Sequence, residues 1–320
     1  MTTTANNLIS RVLRRCFWPA DSGTGLASNA PLTDADILAI ADEEIAGDFA
    51  NMVVQLGGEW FYAEADYAIT ATKARYRLPD KLFGPLIDVV RVDSAGNQIS
   101  LGELDTREIG HRLGSSTRNF DHLVQGDFVR LSPTPTATQD TLRVKYHRQP
   151  GTLVLVANAL QITSVSDDLD TSTSLEFGSD PAAIFSEGDE IDVVSDGNAH
   201  SLHTYENAIT SVSNPAILIG ATNNGEPTSL IAIGDWAVLS GTTPIVPLPN
   251  ELLSALVKRV ASECLRANGE RDAAMREAKA ADEAWTAAHS LLFDRSEAEP
   301  NTVITHNSSL RSLMNFGGLR

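Results

Sequence analysis

The sequence predicts an α+β fold: a discontinuous helical-bundle core with β-hairpins, an inserted all-β, barrel-like domain and an extended C-terminal arm. Three observations predict it. Apolar residues recur at helical spacing near both ends of the chain, over residues 5–17, 33–56 and 251–292. Between the first and last of these, residues 59–146 read as short extended segments broken by turns. Finally, no Lys or Arg occurs between Arg148 and Lys258, while thirteen Asp and Glu fall between residues 167 and 235. That composition break marks a separate unit.

Along the chain, Leu8, Ile9, Val12 and Leu13 line one side of a short helix over residues 5–17, with Arg11, Arg14 and Arg15 on the other. A Gly, Ser and Asn linker follows from Asp21 to Ala30. The second helix opens at Pro31-Leu32-Thr33, where Thr33 caps and Asp36 answers from the third position. Its apolar residues Ile37, Leu38, Ala41, Ile45, Phe49, Met52, Val53 and Leu56 hold the period until Gly57-Gly58 stops it. Trp60 to Tyr62, Tyr67 to Thr70 and Tyr76 to Pro79 then read as extended segments. Leu86–Val92 and Ile99–Leu101 form a hairpin about the Asp93–Asn97 turn. Leu104–His111 reads as a short helix. Gly126–Ser132 and Thr141–Tyr146 read as two further paired strands about a turn at Pro133–Asp140.

The acidic unit repeats itself. Ile162-Thr163-Ser164-Val165-Ser166 returns as Ile209-Thr210-Ser211-Val212-Ser213, an offset of 47, and Gly188-Asp189 returns as Gly234-Asp235, an offset of 46, each ahead of an apolar run. Two similar halves in a small all-β insert, a barrel of about six strands, explain this. Its ends, near Gly151 and Val246, are expected to lie close in space. The chain therefore divides into residues 1–150, the first part of the core; 151–247, the insert; 248–295, the returning helices; and 296–320, the arm.

After Pro249-Asn250-Glu251, the residues Leu252, Leu253, Leu256, Val257, Val260, Ala261, Cys264 and Leu265 form one helical stripe, which Gly269 interrupts. Beyond it Ala274, Ala278, Ala281, Trp285 and Ala288 keep the period with mostly methyl-sized side chains, a surface that a neighbouring helix can approach closely. From Ser296 the chain is too poor in apolar residues to fold alone and too rich for a plain linker.

Composition narrows the chemistry. The net charge of −18 argues against a groove that grips phosphates with Lys and Arg. Setting aside the thirteen acidic residues of the insert leaves 29 of the 42 Asp and Glu against 24 Lys and Arg, so the rest of the chain is near balance. Cys16 and Cys264 are far apart in sequence, and free thiols in a reducing cytoplasm are expected. No stretch approaches the ~20 apolar residues of a membrane span, and neither secretion nor membrane insertion is expected. His200 and His203 have no third ligand nearby, and Asp167, Asp168 and Asp170 lack the glycine and bidentate glutamate of a calcium loop. There is no phosphate-cradling glycine pattern and no nucleophile signature. No catalytic residue, metal site or cofactor is expected, and Trp60, Phe61, Tyr62 and Tyr67 are expected to pack in a core or interface.

Leu32-Thr33-Asp34-Ala35-Asp36-Ile37-Leu38, Tyr76-Arg77-Leu78-Pro79, and Leu248-Pro249-Asn250-Glu251-Leu252-Leu253 leading into an alanine-rich helix with Trp285 resemble the head-to-tail adaptor (connector) proteins of tailed bacteriophages. The resemblance covers roughly residues 31–150 and 248–296; the insert at 151–247 is a departure, since compact members of that family lack it. The resemblance implies a non-enzymatic virion protein, assembled in the bacterial host cytoplasm. It implies a homo-oligomeric ring, commonly of twelve copies, below the portal protein, extending the DNA channel toward tail or nozzle proteins. DNA would pass through without specific binding. It also implies that helices pack between subunits, which would use Ala274, Ala278, Ala281, Trp285 and Ala288. The C-terminal extension would reach the portal through Val303, Ile304, Leu310, Arg311, Leu313, Met314, Phe316 and Arg320. Two readings from other classes stay open. One is a tail- or fibre-associated module whose β insert binds a surface glycan; the other is an enzyme using the strand region around Tyr62 and Tyr67.

Overall fold

Helix α1 (Ala5–Cys16) starts at Thr4, whose hydroxyl accepts the Asn7 N–H at 3.3 Å, and it buries Leu8, Ile9, Val12 and Leu13. A computed structural model describes residues 3–17, 32–55, 60–104, 115–116, 120–138, 140–168, 172–196, 202–220 and 231–298 of the chain. The linker at Asp21–Ala30, nearly all of the helix expected at Leu104–His111, and the arm side chains from Val303 to Arg320 fall outside those residues.

Helix α2 (Asp34–Glu44) opens on a capping box: the Thr33 hydroxyl accepts the Asp36 N–H at 3.2 Å, and the Asp36 carboxylate accepts the Thr33 N–H at 2.8 Å. The uninterrupted helix expected as far as Gly57 is broken midway. At Gly47 the backbone leaves helical angles (φ −84°, ψ −108°), producing a wide turn over Ile45–Phe49 before α3 (Ala50–Gln55). Glycine is one of the few residues at which helices bend sharply, and the Asn51 amide donates to the Gly47 carbonyl at 2.9 Å. Phe49 enters the core, where its ring meets Trp285 edge-on with centroids 4.7 Å apart.

Helices α4 (Asn250–Ala267) and α5 (Arg271–Ala298) form an antiparallel pair, with α5 running past Arg295 to Ala298. Every apolar residue of the predicted α4 stripe is buried. Side chains from α1, α2, α4 and α5 join in one apolar cluster, so its residues come from both ends of the sequence. On α5, Ala274, Ala281 and Ala288 are buried while Ala278 and Trp285 are half-buried. Ser262 and Lys258 of α4 donate directly to the Ala274 and Ala280 carbonyls, at 3.0 and 3.2 Å. Methyl-sized neighbours leave room for donors to reach that backbone. Ala274, Ala281 and Ala288 therefore face α4 of the same chain, Ala278 and Trp285 stay partly accessible, and Met275 and Leu291 are exposed.

Between α3 and the barrel, the described strands are β1 (Tyr62–Ala68), β2 (Arg75–Arg77), β3 (Leu82–Val92), β4 (Gln98–Ser100), β5 (Gly102–Glu103), β6 (Ser115–Ser116), β7 (Asp121–Gln125), β8 (Phe128–Ser132), β9 (Thr134–Pro135) and β10 (Thr141–Arg148). They form one sheet of order β1-β10-β3-β4, a second of order β2-β8-β7-β5, and the small pair β6-β9. The β3–β4 hairpin is as expected, although β3 begins at Leu82 because register shifts opposite Tyr146 absorb Gly84-Pro85. The expected pairing of residues 126–132 with 141–146 does not occur. β8 pairs instead with β7 through the Gly126-Asp127 turn, and both edges of β10 are already occupied by β1 and β3. β8 and β10 thus belong to two different sheets. Tyr76, Val129 and Leu131 of one sheet and Val89, Leu142 and Val144 of the other fill the layer between them.

The remaining strands are β11 (Thr152–Leu153), β12 (Leu160–Asp168), β13 (Ser172–Phe177), β14 (Glu190–Val194), β15 (Leu202–Ser213), β16 (Ala216–Gly220), β17 (Trp236–Leu239) and β18 (Thr242–Thr243). Six of them close a barrel in the order β12-β13-β16-β15-β14-β17. Exchanging β12, β13 and β14 for β15, β16 and β17 maps every pairing of that barrel onto another, the signature of a pseudo-two-fold axis. The sequence repeat has a matching hydrogen-bond repeat. Ile162 N–H donates to Asp235 O and Gly234 N–H to Ile162 O, while Ile209 N–H donates to Asp189 O and Gly188 N–H to Ile209 O, at 2.8–2.9 Å. In each half an aspartate accepts the N–H three residues before it, Asp189 from Ser186 and Asp235 from Ala232, and the intervening Gly188 and Gly234 take φ of 91° and 103°. That conformation explains why glycine recurs there.

Replacing Ala274 by Leu inserts three carbons between α4 and α5 and is expected to cost about 1–3 kcal/mol, read as a lower unfolding midpoint in denaturant. Met275→Ala, one residue along on the exposed side, leaves the midpoint within experimental error.

Candidate functional site

The charged side chains that the structure concentrates lie where the barrel meets the first sheet. Arg148 ends β10 with its side chain buried, and its Nη2 donates to Asp192 of β14 at 2.8 Å. The Asp192 carboxylate is saturated. One oxygen also accepts the Gly241 N–H (2.8 Å), and the other accepts the Glu206 N–H (2.9 Å) and the Ser240 hydroxyl (3.0 Å). A buried carboxylate is tolerated when its lone pairs are occupied in this way. The Arg148 guanidinium lies over the Tyr205 ring at 5.1 Å, and the Tyr205 hydroxyl accepts the Glu64 N–H at 2.9 Å and donates to the Glu64 carbonyl. Lys81 completes the network, donating to the Ser240 hydroxyl at 2.7 Å and pairing with Glu206 at 3.3 Å. Glu206 holds φ of 56°, a conformation that costs a non-glycine residue energy, here balanced by contacts on both its backbone and side chain.

The repeat exposes how the two halves diverge. With the offsets of 47 and 46, Glu206, Asp192 and Ser240 correspond to Ala159, Val238 and Val194. Those three counterparts form an apolar cluster with Ile245. Ile245 is bridged to Thr4, and Val246 N–H donates to the Thr3 carbonyl at 2.9 Å. One pseudo-equivalent face of the barrel thus meets the sheet through ions, and the other meets the chain returning to the helices through apolar contact. The expected closeness of the barrel's ends is realised as β11 and β18 pairing in parallel. Gly151 passes so near this pair that a Cβ there would lie 3.2 Å from Thr243 Cγ2 and 3.3 Å from the Thr242 backbone. Asp42 of α2 holds the start of β11 by accepting the Leu153 N–H at 2.8 Å, and burial pushes its carboxyl from 3.8 up to about 6.

Beside the junction an open cleft of about 490 Å³ is lined by Asp66, Tyr67, Arg77, Asp80, Lys81, Glu190 and Glu206 among others. Its charges are largely paired: Asp66 with Arg143 at 2.8 Å, Arg77 with Asp80 at 2.7 Å, and Lys81 with Glu206. Tyr62 donates to Glu64, and the phenols of Tyr62 and Tyr67 are pushed above their ordinary pKa, chiefly by burial. Neither phenol is set to lose a proton near neutral pH. Trp60 and Phe61 pack with the helical cluster while Tyr67 packs with the layer between the sheets, so the aromatic run serves two cores.

Cys16 and Cys264 are both free and buried among the helices, and desolvation pushes each thiol to about 12. They behave as small hydrophobes. Among the described residues no three or more His, Cys, Asp and Glu are grouped to hold a metal, and no helix is long and apolar enough to cross a membrane. Asp167 and Asp168 end β12, and His200 and Asp170 lie outside the described residues. Of the exposed arginine trio on α1, Arg15 pairs with Glu277 of α5 at 2.9 Å. The junction itself escapes sequence reading because Arg148, Asp192 and Glu206 stand far apart in the chain. The one available signal was that Arg148 is the last cation before a long stretch without any.

Two outcomes test the junction. Asp192→Ala strands a buried guanidinium and is expected to cost about 3–5 kcal/mol in unfolding experiments. For Asp42, whose carboxyl titrates higher folded than unfolded, stability is lost as pH rises from about 4 to about 6. Asp42→Asn should therefore raise the melting temperature at pH 7 and leave it unchanged near pH 3.5, a difference that calorimetry at the two pH values measures.

No curated protein matches the chain. The family model described as SU10 adaptor protein matches residues 3–175, from the segment preceding α1 through both sheets and into β13. The matched stretch therefore runs past Gly151, through β11 and β12 and into β13. With more than half of its length matched, and with helices, paired sheets and barrel entry all inside the match, the chain belongs to the SU10 adaptor protein family of phage structural adaptors.

Proposed function

We propose that this phage adaptor assembles in the bacterial host cytoplasm as a homo-oligomeric ring, twelve copies being the implied number, seated below the portal protein. It extends the DNA channel and joins capsid to tail or nozzle proteins. The observation that carries the reading is the family match over residues 3–175.

Three features support it. The long helix α5 outruns its partner: Ser262 stands beside Ala274 and Lys258 beside Ala280, so Asn250 falls near residue 287. About ten residues, roughly 15 Å of helix, then run past the start of α4 toward the arm. The arm sequence, with Val303, Ile304, Leu310, Leu313, Met314 and Phe316 set among polar residues, suits ordering on a partner's surface, where burial offsets lost conformational entropy. An acidic chain suits a conduit that DNA must traverse without being held.

Electron microscopy of the purified protein mixed with its portal tests the reading. Rings seated on the portal are expected from the full-length chain, whereas a chain ending at Ala298 is expected to lose docking. Full-length protein that never joins the portal would overturn the proposal.

A further inference from the structure

The outer face of the second sheet carries an arrangement that is unfavourable within a single chain. Arg75 of β2 and Arg130 of β8 stand directly opposite each other across the antiparallel ladder, and Arg77 stands opposite Phe128. Like charges at directly opposed positions destabilise a sheet. No carboxylate among the described residues pairs with either Arg75 or Arg130; the nearby Asp80 is engaged by Arg77 at 2.7 Å. Phe128 remains 40 % exposed in the same patch. Arginine and aromatic side chains are the types enriched in protein interfaces, and arginine's fork matches a carboxylate.

The complementary surface is on the same chain. Residues 149–257 contain no Lys or Arg, and at the end of the barrel where β13 gives way to β14, Glu176, Asp180 and Glu187 are all exposed. Barrel and sheet are fixed to one another by the Arg148–Asp192 junction, so each copy presents one arginine face and one acidic barrel end in a set geometry. Two different, complementary faces on one subunit give a heterologous head-to-tail contact, which closes into a ring when the rotation per copy divides a full turn.

We propose that the Arg75–Arg130 face of each copy docks on the β13–β14 end of the neighbouring copy's barrel, its arginines pairing with Glu176 and Glu187 of that neighbour. This rests on the ring-forming reading and places a contact between subunits outside α5. The pairing of opposite charges also relieves the repulsion that copies each carrying −18 would otherwise meet on assembly. A duplex DNA backbone is the competing anion for these arginines. The acidic end, present in every copy at matching charge, favours the neighbour.

The test is charge reversal and exchange, using full-length protein in sedimentation velocity at low and high salt and in portal microscopy. Arg75→Glu with Arg130→Glu, and separately Glu176→Lys with Glu187→Lys, should each abolish self-association and ring density, and the four changes together on one chain should restore both. Arg75→Gln with Arg130→Gln should lose association while melting no lower than the unmodified protein, which separates an interface from a folding role. If single-face reversals leave rings on the portal intact, the interface is overturned and the adaptor reading stands. If salt-sensitive oligomers form and are rescued by exchange but never join the portal, the adaptor reading falls and the interface stands. Unmodified protein that is monomeric at all concentrations, with and without portal, overturns both. Reversal that spares association but abolishes retention of duplex DNA at low salt assigns the arginines to DNA and overturns the proposal.

Discussion

The buried pair of Arg148 and Asp192 is the contact on which the arrangement of the two halves of the molecule depends. An isolated charge in that position would be costly, and each partner is acceptable only because the other is present and because Gly241, Ser240 and the Glu206 backbone occupy the remaining carboxylate lone pairs. The pair therefore couples three things that local sequence keeps apart: the last residue of β10, the middle of β14 and the turn leading to β18. Backbone pairing alone would not fix their relation. β11 and β18 contribute a ladder of only two residues each, and a closed barrel has no free edge with which to extend the first sheet. Side-chain chemistry has to do what an edge strand does elsewhere, and the Tyr205 hydroxyl does so literally by bonding both backbone groups of Glu64.

What was legible in the sequence follows from how local each cause is. The capping box at Thr33 and Asp36, the stripe from Leu252 to Leu265 and the Asp93–Asn97 hairpin depend on neighbours within a few residues, and each stands as read. The barrel was legible for another reason: its two halves repeat both the strand segments and the glycine-aspartate turns, and a repeat is visible without knowing any long-range contact. The pairing of residues 126–132 with 141–146 failed because strand order is a non-local choice. Gly126-Asp127 between Val124 and Phe128 closes the β7–β8 hairpin, and with β8 paired to β7, β10 is free to lie between β1 and β3. The alanine stripe of α5 was legible as a close-approach surface, but spacing alone does not say whether the approaching helix belongs to the same chain. The junction was illegible, since nothing in local composition couples Arg148 to Asp192.

The divergence of the two barrel halves explains why one docking orientation prevails. A barrel with a pseudo-two-fold axis offers two nearly equivalent ways of facing the core, and backbone shape discriminates poorly between them. Side chains discriminate strongly. In the observed orientation Asp192, Ser240 and Glu206 receive Arg148 and Lys81, while Val238, Val194 and Ala159 receive Ile245. Turning the barrel about its axis would set the buried guanidinium against Val238 and leave Asp192 facing an apolar strand, stranding a charge on each side. Removing one partner from such a pair costs several kcal/mol, so the reversed orientation is excluded by an amount comparable with much of a domain's stability. The two halves thus present matching faces, and the residues at three corresponding positions make one polar and the other apolar. The acidic end of the barrel consequently occupies a single place relative to the sheets and helices, which is what any repeated contact between copies of the chain requires.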